Sequence, residues 1–270
     1  MKHLKLAFIG GGNMATNLIG GLIFDGYEAN KIWVSDPQLS ILENLQKRFN
    51  IHTSQDNNAV AQVADVIILA VKPQYLQQAI SSFAATVQIK QPLIISIAAG
   101  VREETLQSWL QGKQAIVRCM PNLAAIAHSA ATGLYANSLA SEGQRSIAES
   151  ILRAVGITVW LDKEDELDTV TALSGSGPAY FFYVMEALEQ AALQLGMDKN
   201  TARLLIVQTA LGAARVAMEN KLDLKELRSQ VTSPGGTTEC ALNYLEKSGI
   251  QKHFIEAVKA AHARAIELAQ

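Results

Sequence analysis

The stretch Phe8-Ile9-Gly10-Gly11-Gly12-Asn13-Met14-Ala15 decides the fold of this 270-residue chain. It has the pattern G-x-G-x-x-A and stands between a short apolar run and a helical segment that continues to about Phe24. In such a strand-turn-helix unit, Gly10 permits a tight turn and Gly12 lets the backbone approach a pyrophosphate. Ala15 allows the helix to pack closely on its strand, and the free amides at the helix start bind phosphate oxygens. The stretch therefore predicts a dinucleotide-binding unit.

Short β-branched or aliphatic runs alternate with amphipathic stretches over the first part of the chain. This alternation predicts βα units, and we expect an α/β Rossmann domain over residues 1–162 with a doubly wound, mostly parallel sheet. One run, Val66–Val71, is apolar at every position, which is typical of a central strand covered by helices on both faces. The predicted strands are Leu6–Ile9, Ile32–Ser35, Val66–Val71, Leu93–Ile97, Ala115–Arg118, Gly133–Ala136 and Ile157–Leu161.

After Leu161 the strand pattern stops and long helical patterns follow, which predicts an all-α domain over residues 163–270. Two segments, Tyr180–Met185 and Leu204–Val207, are apolar nearly all round and leave no polar face for water. Either they meet a second copy of the chain in a homodimer, or they form the centre of a monomeric bundle. The predicted helices begin near Asp165 and then run over about 179–195, 201–220, 224–231, 238–247 and 251–269.

The composition excludes several classes of partner and site. The formal net charge is -2, which provides no electrostatic attraction to nucleic acid. Apolar runs are broken well before the roughly 18 residues of a membrane span, and the short run after the basic N-terminus is a strand rather than a signal peptide. Five scattered histidines form no metal-ligand pair. Two distant cysteines, Cys119 and Cys240, fit a reducing compartment, and we expect a cytoplasmic protein without metal, membrane or nucleic-acid partners.

At the end of the second strand, Ser35 and Asp36 lie where a Rossmann domain reads the adenosine ribose. A carboxylate at this point accepts from a free 2′-hydroxyl and repels a 2′-phosphate, which favours NAD. Because Asp36 precedes Pro37, it is equally a candidate N-cap of the next helix, with Ser35 as the donor to a phosphate. The choice between NADH and NADPH stays open at this point.

Three turns are predicted to follow strands at the edge of the sheet where ligands bind. The segment Ala70-Val71-Lys72-Pro73 presents a lysine to a carboxylate or phosphate, while 97–100 and 119–122 carry small residues that leave room for a nicotinamide. The alternative is that these are ordinary βα turns. The candidate cofactor contacts in these turns are the segment Ala70–Pro73 and Ala98.

Two loops in the second half are candidates for a substrate site. In Ser174-Gly175-Ser176-Gly177-Pro178, a glycine-rich turn leads into a helix with proline in its first turn, so amides at the helix start are free. The segment Val231–Thr238 presents four hydroxyls and several amides beside two glycines, which suits a carboxylate. Alternatively, this second loop is a helix-to-helix turn in which Thr237 or Thr238 is the N-cap.

Taken with the glycine stretch at 8–14, five further motifs make the chain resemble the pyrroline-5-carboxylate reductase family over essentially its whole length. The two motifs from the second half are the most specific of the set. The five are Ala70–Pro73, Ser96–Gly100, Met120–Asn122, Leu173–Tyr180 and Ser233–Thr238.

The resemblance implies hydride transfer from NADPH or NADH to the C=N bond of 1-pyrroline-5-carboxylate, giving L-proline in the last step of proline biosynthesis. It also implies a homodimer with interleaved helical domains, often gathered into a decamer as a pentamer of dimers. Thr238 is the implied catalytic residue, because its hydroxyl lies near the substrate nitrogen. The predicted substrate contacts are Ser176, Ser233, Gly236, Thr237 and Thr238, and the predicted cofactor contacts are Ile9, Gly10, Gly11, Gly12, Asn13, Met14, Ser35, Asp36, Asn57, Ala70, Val71, Lys72, Pro73 and Ala98.

The sequence also bears on two alternative functions, a hydroxyacid dehydrogenase and a protein without catalytic activity. A hydroxyacid dehydrogenase of similar two-domain layout places a catalytic lysine early in its helical domain, yet no Lys, Arg or His occurs between Ser174 and Asp198. Reduction of a cyclic imine does not require a strong general acid from the protein, because water can protonate the imine to an electrophilic iminium. The other alternative is a dinucleotide sensor or scaffold without catalytic activity. The hydroxyls of Ser233, Thr237 and Thr238 argue against it.

Overall fold

The computed structural model describes residues 3–269, which form eight strands and thirteen α-helices. The strands are β1 (Leu6–Ile9), β2 (Ile32–Ser35), β3 (His52–Ser54), β4 (Val66–Leu69), β5 (Leu93–Ser96), β6 (Ile116–Met120), β7 (Ala130–Ala136) and β8 (Gly156–Trp160). The helices of the first part are α1 (Asn13–Phe24), α2 (Leu39–Phe49), α3 (Asn57–Val63), α4 (Pro73–Ser81), α5 (Ala84–Lys90), α6 (Glu103–Leu110) and α7 (Glu142–Arg153). Those of the second part are α8 (Glu166–Val170), α9 (Gly177–Gln194), α10 (Lys199–Glu219), α11 (Leu224–Gln230), α12 (Thr237–Lys247) and α13 (Ile250–Leu268).

All eight strands join one sheet in the order β3-β2-β1-β4-β5-β6-β7-β8. Neighbouring strands are parallel except β6 and β7, which are antiparallel. The chain therefore moves outward from β1 to β3, returns to β4 on the other side of β1, and creates a switch point between β1 and β4. The predicted doubly wound, mostly parallel sheet is confirmed, and β4 is central as expected.

Full burial of the central strands explains their continuous apolar sequence. In β1, Leu6 and Phe8 belong to one apolar cluster, whereas Ala7 and Ile9 belong to a second cluster. The residues of β4 divide between the same two clusters in the same alternating way. Successive side chains of a strand point to opposite faces, so helices cover both faces of the sheet.

One strand and several strand boundaries differ from the sequence prediction. The strand β3 was not expected, because His52-Thr53-Ser54 is short, polar and at the sheet edge, where little apolar surface is buried. The apolar run that begins at Val66 leaves the sheet at Leu69, so Ala70 and Val71 form part of the turn that follows β4.

The chain divides into two compact units. The first comprises the described residues up to 178 together with those from 261 onward, and the second is Ala179–Ala260. In the first unit, the carbonyl oxygen of Leu268 lies 2.9 Å from the point where a Cβ on Gly100 would stand. The end of α13 thus packs on the turn that follows β5, and the second unit is an insertion in the sequence of the first.

After Trp160 the described chain contains only helices, as predicted, and the apolar segments of α9 and α10 are exposed. Phe181, Tyr183 and Leu204 are 69%, 72% and 71% exposed respectively. The alternative of a monomeric bundle with these segments at its centre is therefore wrong. Among residues 3–269, no helix combines the length and apolar character needed to cross a membrane.

Candidate functional site

The turn between β1 and α1 is built by three glycines with three different tasks. Gly10 has a φ of +102°, and its N–H donates to the carbonyl oxygen of Ser35 at 2.7 Å. A Cβ on Gly10 would lie 2.8 Å from the carbonyl oxygen of Ala70, and one on Gly11 would lie 2.8 Å from Cγ2 of Ile41. The first two glycines therefore let this turn pack against the turn that follows β4 and against α2.

Gly12 has a different environment, because a Cβ added to it would have no atom within 4 Å. It is the N-cap of α1 and lies exposed, with no side chain capping the helix. The first intrahelical bond runs from the N–H of Thr16 to the carbonyl of Gly12, which leaves the amides of residues 13–15 without helical acceptors. Open space before three free amides fits the pyrophosphate of a dinucleotide, as the sequence predicts.

The carboxylate of Asp36 is held at the end of β2. Oδ2 accepts from the N–H of Gly11 and Oδ1 from the N–H of Gln38, both at 2.9 Å. The N-cap of α2 is Gln38, so the alternative in which Asp36 is the N-cap is wrong. Ser35 is completely buried and its hydroxyl has no partner among the described residues, which does not fit a phosphate donor.

The turn after β4 borders the glycine turn directly. Its Ala70 N–H donates to the carbonyl of Ile9 at 2.8 Å, and Cγ1 of Val71 lies 2.8 Å from the Cβ position on Gly10. Lys72 is the exposed N-cap of α4 and Pro73 is its first residue. The ammonium group of Lys72 makes no hydrogen bond or ion pair with any residue in the range 3–269, so it is available to an anion.

Asn57, a predicted cofactor contact, is the first residue of α3. Its Nδ2 donates to Oγ of Ser82 at 3.2 Å and approaches the carbonyl of Ala79 at 3.5 Å. The side chain is therefore bonded to the end of α4 in this structure. Its role toward the cofactor stays a prediction.

The carboxyl ends of β5 and β6 lie at the same edge of the sheet as the glycine turn. Ala98 is buried, and its N–H is 3.4 Å from Oγ of Ser96. After β6, Asn122 accepts from the N–H of Ala124 and donates through Nδ2 to the carbonyl of Ser174 at 3.0 Å. This last bond fixes the segment 174–178 at the same edge as the glycine turn.

That segment begins in a π-helical turn, Thr171–Gly175, which joins α8 to α9. Gly175 is packed so closely that a Cβ would lie 2.6 Å from Cε of Met120. The N–H of Ser176 donates to the carbonyl of Thr171 at 2.9 Å, while its hydroxyl makes no hydrogen bond within the described residues. Proline occupies the second position of α9, as expected. The structure thus brings Ser176 to the predicted cofactor edge.

A group of charged side chains near β6 was not found from the sequence. Arg118 is buried in β6 and pairs with Glu164 at 2.7 Å, and Arg102 pairs with Asp168 at 2.5 Å. Burial, with Glu164 adding to the effect, raises the pKa of Tyr135. An arginine within an apolar strand was the available signal, because a buried charge requires a partner. These pairs join the chain after β8 to the sheet.

The second predicted loop, 233–238, lies in the second unit. The N-cap of α12 is Gly236, and no side chain caps the helix, so the alternative with Thr237 or Thr238 as N-cap is wrong. The hydroxyls of Ser233, Thr237 and Thr238 make no hydrogen bond to any residue between 3 and 269. They remain available to a ligand.

The backbone of this loop is nevertheless well defined. Gly235 has a φ of +71°, and the N–H of Gly236 donates to the carbonyl of Ser233 at 3.0 Å. The N–H of Gly235 donates to Oε2 of Glu239 at 2.7 Å. Glu239, the third residue of α12, therefore reaches back to the loop as the glutamate of a capping box does.

The sites predicted from the sequence thus fall into two groups. The first unit brings together the cofactor residues around β1, β2, β4 and β5, and Ser176 with them. The second unit contains the remaining substrate residues, 233–238. Within residues 3–269, no three His, Cys, Asp or Glu side chains are grouped to hold a metal ion.

Comparisons with known proteins identify the family of this chain. A family described as pyrroline-5-carboxylate reductase dimerisation matches residues 164–268, and one described as NADP oxidoreductase, coenzyme F420-dependent, matches residues 5–100. A pyrroline-5-carboxylate reductase of Pseudomonas aeruginosa is 44% identical over 270 residues, covering 100% of this chain and 98% of its own. The chain belongs to the pyrroline-5-carboxylate reductase family.

Solved structures of pyrroline-5-carboxylate reductases have the same fold. The enzyme of Coxiella burnetii is 45% identical with a TM-score of 0.95, and the alignment covers 99% of both chains. The Plasmodium falciparum enzyme, solved with NADP bound, is 25% identical with a TM-score of 0.89 and 100% coverage of both chains. The predicted family, fold class and NAD(P)-dependent oxidoreductase class are confirmed, and the dimerisation match shows that the helical part serves oligomerisation.

Proposed function

We propose that this chain reduces the C=N bond of 1-pyrroline-5-carboxylate to give L-proline, using NADPH or NADH. The observation that carries the proposal is the loop 233–238, whose three hydroxyls have no partner among the described residues although two of them begin a helix. Hydroxyls that neither cap a helix nor bond to the protein are suited to a small polar substrate. Proline biosynthesis is the pathway implied by the family.

The bound dinucleotide supplies the hydride, and the first unit holds it. The amides at the start of α1 face its pyrophosphate, with Gly12 leaving the necessary space. Lys72 offers a positive charge at the neighbouring strand end, and buried Ala98 leaves room for the nicotinamide ring. Each of these roles follows from position at the carboxyl edge of the sheet.

The loop of the second unit holds the substrate. Ser233, Gly236 and Thr237 bind the carboxylate through hydroxyls and amides, and the Thr238 hydroxyl lies at the ring nitrogen. Ser176 contributes a further free hydroxyl at the cofactor edge. Water protonates the imine, so the protein chiefly orients the two reactants and no strong general acid is needed. The absence of Lys, Arg and His from residues 174–198 agrees with a mechanism that needs no strong general acid.

The assembly is a homodimer formed through the second unit, with a decamer of five dimers as the larger form. The exposed aromatic and aliphatic side chains of α9 and α10 support the dimer, because a soluble monomer rarely exposes so continuous an apolar surface. We place the protein in the cytoplasm, and the boundary between its cofactor and dimerisation domains near residues 162 and 163.

The test is the loss of nicotinamide absorbance when purified protein is mixed with 1-pyrroline-5-carboxylate and either NADPH or NADH. We expect oxidation of the cofactor and formation of one proline per hydride. Demonstrated cofactor binding without turnover would contradict the proposal and indicate a dinucleotide sensor. A hydroxyacid substrate assayed with NAD⁺ in parallel distinguishes the dehydrogenase alternative.

A further inference from the structure

The end of β2 carries a fixed negative charge. Asp36 is 9% exposed, and its two carboxylate oxygens each accept one backbone N–H, from Gly11 and from Gln38. A carboxylate has about four lone-pair positions, so acceptor capacity remains for a further donor. The side chain cannot swing away without leaving the Gly11 amide unpaired. The charge therefore stays beside the glycine turn.

The neighbouring segments provide no positive charge to offset it. No Lys, Arg or His occurs within 10–17, 36–46 or 54–62. The loop after β3 is held next to Asp36, because Gln55 donates through Nε2 to the carbonyl of Pro37 at 2.8 Å, and it adds a second acid, Asp56. Lys72 follows β4, and β4 is separated from β2 by β1, so the two strands lie two strand spacings, about 10 Å, apart.

This environment distinguishes the two nicotinamide cofactors. A free ribose 2′-hydroxyl can donate to Asp36, whereas a 2′-phosphate would place a second anion beside it with no cation to bind. Ser35, the other candidate for a phosphate contact, is completely buried. On these grounds, and resting on the proposed reduction, we propose that Asp36 makes this chain select NADH over NADPH.

Binding and turnover test the proposal separately. Dissociation constants for NADH and NADPH are measured by nicotinamide fluorescence without substrate, and kcat/KM for each with 1-pyrroline-5-carboxylate. We expect about a 10-fold preference for NADH in both. Asp36→Asn keeps the size and one acceptor but removes the charge, so it should bring both ratios close to one, chiefly by improving NADPH. Asp162→Asn removes an exposed acid elsewhere in the first unit and should leave the ratios unchanged.

Two results would overturn the selection. Equal affinity of the unaltered protein for the two cofactors is one. The other is an equal change for both cofactors in Asp36→Asn, which would mean that the carboxylate only positions the Gly11 turn. If the protein reduces no imine, the proposed reaction fails while the two dissociation constants still decide the selection.

Discussion

The two glycine-containing turns that precede helices α1 and α12 differ in how complete they are within a single chain. The turn 10–12 is held by the amide of Gly10, which bonds to Ser35 of β2, by the amide of Gly11, which bonds to Asp36, and by close packing of Gly10 on Ala70. The loop 233–238 has a defined backbone but leaves its three hydroxyls unbonded, on a unit with exposed apolar helices. The first turn is thus a finished site within one chain; under the proposed function, the substrate and a second copy of the chain complete the second.

The largest expected effect comes from removing the second chain. Leu204→Arg places a charge on the exposed apolar surface of α10, and burying an unpaired charge in a subunit contact is costly. We expect a monomer by light scattering, about 1,000-fold lower turnover at the same concentration, and unchanged cofactor affinity. Ile89→Arg alters a side chain of the first unit that is also largely exposed, and it should have none of these effects. A dimer with normal turnover in Leu204→Arg would contradict the dependence of the loop 233–238 on a contact made by this surface of α10.

Thr238→Ala tests the substrate loop alone. Since the hydroxyl makes no bond within the described chain, its loss should leave stability and cofactor affinity unchanged while lowering kcat by about 100-fold. Thr238→Ser retains the hydroxyl and should recover most of the activity. An unaltered kcat/KM in the alanine variant would exclude this residue from the reacting centre.

Gly12→Val tests the finished site. A side chain there meets no protein atom within 4 Å, so folding should be normal, but it fills the space before the α1 amides. We expect the dissociation constant of the cofactor to rise about 30-fold, which corresponds to the loss of one or two charge-assisted hydrogen bonds. Gly143→Val serves as the control, because Gly143 is an exposed glycine of the first unit and a Cβ there would meet its nearest atom at 3.9 Å. Normal cofactor binding in Gly12→Val would mean that the pyrophosphate lies elsewhere.

A smaller effect is expected at Glu239, which bonds the Gly235 amide. Glu239→Ala removes that bond, so the loop loses its preferred conformation and KM for the substrate should rise about 5-fold with little change in kcat. Glu239→Gln keeps an acceptor oxygen and should recover the KM. Glu246→Ala, on the same helix, provides the matched control. Failure of the glutamine to recover KM would show that charge, rather than the bond, is what matters.

The smallest effect concerns the framework of the first turn. Burial raises the pKa of Tyr27 to about 12, and its hydroxyl donates to the carbonyl of Leu4 at 2.6 Å. The folded pKa exceeds the unfolded value of 10.0, so this stabilisation is present below pH 10 and is lost as the pH rises toward 12. Tyr27→Phe should lower the free energy of unfolding by about 1 kcal/mol at neutral pH and flatten the alkaline decline. An equally steep decline in that variant would assign it to other groups.

Local sequence patterns were sufficient for much of the fold. Fully buried strands such as β4 carry continuous apolar runs, and glycines at fixed spacing between a strand and a helix have few other uses. The sequence does not predict the short strand β3, because its polar residues at the sheet edge show no alternation of apolar and polar positions. Its existence depends on pairing with β2, which is a tertiary event.

The site was less accessible to sequence reasoning, because its decisive contacts join distant residues. The bond from Gly11 to Asp36 spans 25 residues, and that from Asn122 to Ser174 spans 52. At α12, the usual preference for threonine as N-cap led to a wrong alternative, since a glycine serves instead and leaves the hydroxyls free. The local rule failed at a loop whose hydroxyls neither cap the helix nor bond to the described part of the chain.

The contact between Leu268 and the turn at Gly100 has a consequence for synthesis of the chain. Translation proceeds at about 5–20 residues per second, so this turn waits on the order of ten seconds for the residue that packs against it. Leu268 can therefore pack on this turn only after the ribosome has made the helical insertion.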